Sequence, residues 1–488
     1  MLTLHRRDFL KTTALCTAAI AAPIPVWARV EGANDDIRVG VVGFGGRGRT
    51  HIEAFNKLGG VRVVALCDVD SRILERGVRS LSDKGQKVQG FADVRKMLES
   101  KEIDVIATAT PNHWHALLTI WACQAGKDVY VEKPVSHNVF EGRKCVEAAR
   151  KYNRIVQAGT QSRSNEALRQ AIIWLREGHL GKIRIARGLC YKRRESIGKA
   201  EGPQSIPPEI DYDLWCGPAE KLPLARKRLH YDWHWVWNTG NGDLGNQGVH
   251  QMDIARWALG KMELSPMVFS VGGRLGYSDD GETPNTQMVV HNYGDALLIF
   301  EVRGLPAKAP EPQAGEEGKA PPMDKYRGLS VGHVIECEGG YLAGTTAFDN
   351  DHQPVKRFSG KSDDEGGHFG NFIKAVRSRK REDLKADILE GHLSSALCHT
   401  GNISHRLGRQ AAPEEIREQL NEDSAALETL ARMEEHLIAN KVALKLTPLT
   451  IGPVLRMDPA TETFRDNPHA NALLTREYRE PFAVPNRV

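Results

Sequence analysis

The stretch Val39-Gly40-Val41-Val42-Gly43-Phe44-Gly45-Gly46-Arg47-Gly48 constrains the fold more than any other part of this chain. A short apolar run passes directly into G-x-G-x-x-G. Twenty residues past the last glycine stands Asp68, at the end of a second apolar run, Val61–Cys67. Strand, glycine turn, helix and acid-tipped strand are the opening of a parallel α/β sheet that binds a dinucleotide. Gly43 permits the tight turn, Gly45 leaves room for a pyrophosphate beside the backbone, and Gly48 lets the next helix approach the strand. Phe44, Gly46 and Arg47 complete the loop. The helix N-terminus offers free N–H groups and a partial positive charge to phosphate. Asp68 is placed to accept from the adenosine ribose hydroxyls. Its charge repels a 2′-phosphate, so the expected cofactor is NAD rather than NADP.

From Ile37 to Ala158 the pattern alternates. It predicts strands at 37–43, 61–68, 104–109, 128–132 and 154–158, and helices at 47–58, 91–100, 113–126 and 138–151. This predicts a doubly wound parallel sheet with its crevice at the strand C-termini, where the glycine turn, Thr110–His115 and Glu132–Val135 converge. Beyond Gln161 the character changes. A helix is expected at 165–177, a strand at 183–191 and a helix at 247–259. Strands of antiparallel type follow at 266–276, 285–292, 295–302, 332–338 and 341–347. Helices are expected at 368–379, 386–407 and 413–439. Residues 305–328, rich in Pro, Gly, Lys and Glu, read as a surface insertion. The fold class is therefore α/β: an N-terminal Rossmann domain over 36–160 and a C-terminal α+β domain over 161–440, built on a large open mixed sheet. A tail over 441–488 is expected to drape over a neighbouring surface.

The first 28 residues read as a targeting segment. Arg6-Arg7 precedes an uncharged stretch from Thr12 to Trp27, with the small residue Ala28 at its end, a twin-arginine export signal with His5 in place of the usual Ser or Thr. The expected location is the periplasm or beyond, with the export machinery as a partner. The net charge of +4 over 488 residues, with no long basic block, points away from nucleic acid. No later run is apolar enough for a membrane anchor. The seven cysteines after Cys16 are scattered, without C-x-x-C, and read as buried thiols rather than a disulfide framework.

Thr110-Pro111-Asn112, Glu132-Lys133-Pro134 and Asn246-Gln247-Gly248-Val249-His250-Gln251-Met252-Asp253 are the most specific motifs. With the glycine turn, they make residues 36–410 resemble the glucose–fructose oxidoreductase/inositol dehydrogenase (Gfo/Idh/MocA) family. The resemblance implies oxidation or reduction of a sugar or cyclitol hydroxyl, and homo-oligomer contacts through the open sheet. It places Lys133 beside nicotinamide and substrate, and His115 near the cofactor. The family's D-x-G-x-H motif falls on Asn246 and His250, so an amide replaces the usual carboxylate, with Asp243 and Asp253 as candidate stand-ins.

The chemistry fits these positions. Removing a hydride from a carbinol carbon requires removing the hydroxyl proton as well. His250 is the expected general base, and Lys133 steadies charge on the reacting oxygen. Asn246 and His250, four positions apart, are expected on one helix face. Tyr231, Trp233, Trp235 and Trp237 alternate, so in an extended chain they share a face, either a sugar platform with His234 and Asp232 or a buried stripe. His113, His115, His230, His234 and His250 form no compact ligand motif, and no metal is expected. Free NAD is scarce outside the cytoplasm, so an exported protein is expected to hold it tightly and regenerate it in place. Three functions follow: a carbohydrate oxidoreductase, a glycosidase or lyase working through a transient keto sugar, and a non-catalytic nucleotide- or sugar-binding protein.

Overall fold

A computed structural model describes residues 36–309, 321–362 and 364–488. The expected targeting segment and residues 310–320 of the expected insertion lie outside the described residues. β1 (Ile37–Val42) runs through the glycine turn into α1 (Arg47–Asn56). There follow β2 (Val61–Cys67), α2 (Ser71–Ser82), β3 (Gln89–Phe91), α3 (Val94–Leu98), β4 (Val105–Thr108), α4 (Asn112–Gln124), β5 (Asp128–Val131), α5 (Val139–Lys151) and β6 (Val156–Ala158). The six strands are parallel, in the order β3-β2-β1-β4-β5-β6. β4 and β5 are buried along their whole length, as strands covered on both faces must be. The strand order reverses between β1 and β4, which opens the crevice at their C-terminal ends.

The sequence reading omitted α2 and β3. Asp70 caps α2 by accepting from the N–H of Arg72 and Ile73, at 2.9 and 3.1 Å. Gly77 interrupts its helical pattern. A Cβ at Gly77 would stand 2.4 Å from the Phe44 ring, so tertiary packing requires the residue that weakens the local signal.

After β6, a 3₁₀ turn at Gln161–Ser164 precedes α6 (Glu166–Arg176) and β7 (Ile183–Tyr191). Short helices α7 (Tyr212–Cys216), α8 (Leu229–Asp232) and α9 (Gly242–Gly245) lead to α10 (Gly248–Leu259). Then come β8 (Met267–Gly273), β9 (Thr286–Asn292), β10 (Leu297–Arg303), β11 (Val331–Cys337), β12 (Gly340–Ala343), β13 (Thr346–Phe348), β14 (Pro354–Arg357), α11 (Gly367–Ser378) and α12 (Ile388–Arg406). The chain ends with β15 (Arg409–Ala411), α13 (Pro413–Gln419), α14 (Ser424–Ala439), β16 (Leu449–Ile451), β17 (Leu455–Asp458), β18 (Thr463–Phe464) and α15 (Pro468–Ala472). The second sheet has the order β14-β13-β12-β11-β7-β10-β9-β8-β16-β15, with β17 also on β8 and β18 on β17. β7 and β10 pair in parallel and the other neighbours are antiparallel.

Two expectations change here. Residues 341–347 form two strands, not one, because Gly344 turns the chain with φ +59°. The single helix expected over 413–439 is two, broken where Asp423 accepts from the N–H of Ala426 at 2.9 Å and starts α14. In the segment after Pro448, β16 and β17 join the sheet, and Phe482 is 1% exposed against Trp114 and Trp121 of the first domain.

The sheet stays unclosed, but both faces of its centre are covered. α10 and α12 pack on one face, with Met252, Ala255 and Leu397 in a core that includes Val289 and Phe300. α13 and α14 pack on the other, where Ile416, Leu430, Met433 and Leu437 meet Val271, Met288 and Ile299. α11 leaves this sheet and packs on the first one, with Phe372 and Ile373 joining Phe55 and Tyr130. The seven cysteines beyond Cys16 are free, and all but Cys337 are buried. Among the described residues no helix is long and apolar enough to cross a membrane.

Candidate active site

The crevice at the β1/β4 reversal is a cleft of about 530 Å³, walled by the first sheet's loops and by residues 214–246. Its glycines divide by cause. Gly43 has φ +72°, and a Cβ there would stand 2.9 Å from Thr110. A Cβ at Gly48 would lie 2.2 Å from the Gly43 carbonyl oxygen. Both are required by the protein's own packing. At Gly45 a Cβ would meet only the Ile73 side chain, at 3.2 Å, and at Gly46 nothing within 4 Å. That space lies open above the α1 N-terminus, which has no side-chain cap and no acid in its first turn. Unpaired amides beside open space form a phosphate cradle. Asp68 lines the same cleft. Its Oδ2 accepts from Phe44 N–H at 3.2 Å and its Oδ1 from Asp70 N–H at 3.1 Å, while burial pushes its pKa up. Glycine loop, amides and acid together fit an adenine dinucleotide.

Thr110, Pro111, Asn112 and His115 form the next part of the wall. His115 lies between two carbonyls, its Nε2 2.8 Å from Thr110 O and its Nδ1 2.6 Å from Pro134 O, and so braces one loop against the other. Asn112 Nδ2 donates to Asn241 Oδ1 at 2.9 Å. Glu132 Oε1 accepts from Arg47 Nε at 3.0 Å, His51 Nε2 at 3.0 Å and Gln161 Nε2 at 3.2 Å. Burial raises its pKa, but His51, Lys133 and Arg47 outweigh this and hold it well below the carboxylate range. Glu132 and Arg47 thus bind each other. Lys133 Nζ donates to Asn246 O at 3.0 Å and to Asn246 Oδ1 at 3.3 Å. Desolvation lowers the Lys133 pKa, and the Glu132 charge opposes it.

The structure revises several expected roles. Asn246 and His250 do not share a helix face, because α10 begins at Gly248 and Asn246 closes α9. His250, on α10, is half-buried, and burial together with the Lys133 charge lowers its pKa to about 3. His234 lines the cleft. Its Nδ1 is bonded to Tyr231 O, its ring stacks on Trp233 with centroids 3.6 Å apart, and burial lowers its pKa to about 3. The aromatic run is not extended. It folds as α8 and a 3₁₀ turn, which breaks the alternation: Trp233 reaches the cleft, while Trp235 is buried near Arg194. Neither stand-in carboxylate is free. Asp243 clasps Arg194 at 2.6 and 2.7 Å, and Asp253 clasps Arg163 at 2.8 and 2.9 Å. Among the described residues no group of three or more His, Cys, Asp or Glu side chains could hold a metal.

Sequence reasoning missed a strap over the cleft. Residues 209–235 cross it, pinned to the segment after Asp68. Ser71 N–H donates to Glu209 O at 2.9 Å, Asp211 N–H to Val69 O at 3.1 Å, Arg72 pairs with Glu209 at 2.7 Å, and His230 with Asp70 at 3.0 Å. On α4, Trp114 Nε1 donates to Leu214 O at 3.0 Å. Leu214, Trp215, His230 and Trp233 thereby wall the cleft. These contacts join residues far apart in the chain, and no local pattern announces them.

Comparison with known proteins agrees with this architecture. Residues 37–160 match the family model for the NAD-binding Rossmann fold of the Gfo/Idh/MocA oxidoreductases, and residues 181–301 match the model of their C-terminal alpha/beta domain. Among curated relatives, a glycosyl hydrolase family 109 protein from Shewanella pealeana is 31% identical over 168 residues, and one from Shewanella baltica is 32% identical over 169. Each alignment covers 30% of this chain and 37% of the relative. WlbA dehydrogenase from Bordetella pertussis, solved with NADH and UDP-GlcNAcA, has a TM-score of 0.53 at 20% identity, covering 74% of this chain and 94% of that one. Levoglucosan dehydrogenase, solved with NADH and levoglucosan, has a TM-score of 0.53 at 18% identity, covering 74% and 95%. At these identities the likeness is one of fold. With both domain models matched in order, the chain belongs to the Gfo/Idh/MocA oxidoreductase family.

Proposed function

We propose that this protein is an NAD(H)-dependent oxidoreductase acting on a hydroxyl carbon of a sugar or cyclitol, with its dinucleotide held beneath the strap. The observation that carries the reading is one continuous cleft with the open glycine loop and Asp68 on its wall together with the Lys133 ammonium. When bound, the nicotinamide exchanges a hydride with the carbinol carbon. Asp68 takes the ribose hydroxyls and disfavours a 2′-phosphate, which selects NAD. Lys133, oriented by Asn246, donates to the reacting oxygen and stabilises negative charge there. A neutral imidazole accepts the hydroxyl proton, either that of His250 beside Lys133 or that of His234 with Nδ1 committed to Tyr231 O. The strap supports slow nucleotide exchange. With the Arg6-Arg7 segment, this fits a protein that folds around its cofactor and is then exported.

The glycosyl hydrolase family 109 relatives favour a second reading, a glycosidase in which the same hydride is removed and returned and the sugar is cleaved between the two steps. Mass analysis of the nucleotide released on denaturing the purified full chain tests the shared premise, and NAD(H) is the expected species. A panel of glycosides supplied without added NAD then separates the readings. Keto sugar or reduced cofactor supports the oxidoreductase, and aglycone release supports the glycosidase. No bound nucleotide and no association with added NAD would overturn both.

A further inference from the structure

Behind the Thr239–Asn241 segment lies a second cavity of about 330 Å³. Asn402 and His399, on α12, line it and are each 4% exposed. Asn402 Nδ2 donates to Asn241 O at 2.9 Å, but its Oδ1 has no hydrogen-bond partner. A buried acceptor left in that state is costly unless a ligand or water donates to it. Two guanidiniums also line the cavity. Arg476 is brought by the C-terminal segment and donates to Asn238 O at 2.8 Å and Asn238 Oδ1 at 2.5 Å. Arg406, the last residue of α12, lies over the Trp237 ring at 5.3 Å.

Several arginines of this protein clasp a carboxylate, as Arg163, Arg194 and Arg274 do. Exposed Arg406 and half-buried Arg476 do not. Among the described residues neither has a carboxylate within 4.0 Å, and Glu282, Glu141 and Glu220 attract them only from farther away. Partial desolvation lowers the pKa of both, and the charge of Arg476 lowers that of Arg406 further. Glu220 also lines the cavity, so two guanidiniums face one carboxylate there, and an oxyanion between the two cations would offset the excess positive charge.

We propose that this cavity, bounded by Arg406, Arg476, Trp237 and Asn402, binds a small oxyanion that also carries a hydroxyl, either a sugar acid or a phosphate, at a site separate from the dinucleotide cleft. The guanidiniums take the anionic oxygens, since planar N–H pairs match carboxylate and phosphate alike. Asn402 Oδ1 accepts a hydrogen bond from the hydroxyl. Trp237 offers a flat apolar face to the C–H side of a sugar ring.

Calorimetry on the full chain with glucuronate, inorganic phosphate and glucose tests the site. At least one anion is expected to bind, and Arg406→Gln to leave any glucose heat from the main cleft unchanged. Tighter glucuronate names a sugar acid as the source of the anion, and tighter phosphate names free phosphate. Arg406→Gln is the decisive variant, because that guanidinium makes no hydrogen bond to the described residues, whereas Arg476 also anchors the C-terminal segment. Losing one charge-assisted pair should weaken anion binding by about tenfold or more. The proposal fails if neither anion binds at millimolar concentration, if Arg406→Gln weakens glucose as much as the anion, or if Arg406→Gln binds the anion like the wild type. The last result would place the anion elsewhere, such as over the α1 N-terminus.

Discussion

At position 246 an amide accepts from the Lys133 ammonium where the family pattern has a carboxylate. Lys133 keeps a pKa lowered by burial, which the charges of Glu132 and Asp243 oppose. Asn246→Asp would place a negative charge about 3.3 Å from Nζ and favour the charged form. If the ammonium is the working form, activity is lost as pH rises through its pKa. The variant should then move that loss upward by about one to three pH units, which a pH–rate profile on the full chain would read. An unmoved limb would assign the titration to another group. The glycine loop makes a second residue-scale contrast. Gly48→Ala drives a Cβ against the Gly43 carbonyl and should lower thermal stability, whereas Gly45→Ala meets only a movable Ile73 methyl. Gly45→Ala should therefore melt near the wild type yet bind NAD more weakly. Equal affinity would mean that the pyrophosphate lies elsewhere. These glycines were legible in the sequence because their spacing is local. The place of His234 on the cleft wall was not, because it depends on how α8 and the turn after it fold.

Among the elements, the strap over residues 209–235 has the largest functional consequence. Its backbone bridges to Val69 and Ser71 hold it across the cleft, and the Arg72–Glu209 and His230–Asp70 pairs fasten its edge. Each pair is partly exposed and worth about 0.5–1 kcal/mol, so Glu209→Gln with His230→Ala should speed nucleotide release by about five- to thirtyfold. Stopped-flow displacement measures this, and the gap between variant and wild type should narrow at high salt as the pairs are screened. An unchanged release rate would show that the strap does not gate exit. Elements defined by periodicity, such as β7 and α10, agree with the sequence pattern. The strap does not follow such a pattern. Its alternating Tyr231, Trp233, Trp235 and Trp237 suggested an extended run, but the short helix α8 and the turn after it prevailed.

Over the whole molecule, chain order and spatial order part company after residue 360. α11 returns to the first sheet, and the C-terminal segment packs Phe482 against Trp114 and Trp121. Phe482→Ala should cost about 3–5 kcal/mol, read as a lower urea midpoint; a midpoint like the wild type's would mean the segment is not part of the cooperative unit. α13 and α14 cover one face of the open sheet at its centre. By itself the sequence determined the parallel sheet, the phosphate loop, Asp68 and the presence of Lys133 in the cleft. Each of these depends on strand alternation, a glycine spacing or a short motif written within a few residues. Tertiary structure alone decided that His234 lines the cleft, what Asn246 holds, how the strap closes and where the last residues pack. Those outcomes rest on contacts between segments a hundred or more residues apart, and local propensity carries no information about which distant surfaces will meet.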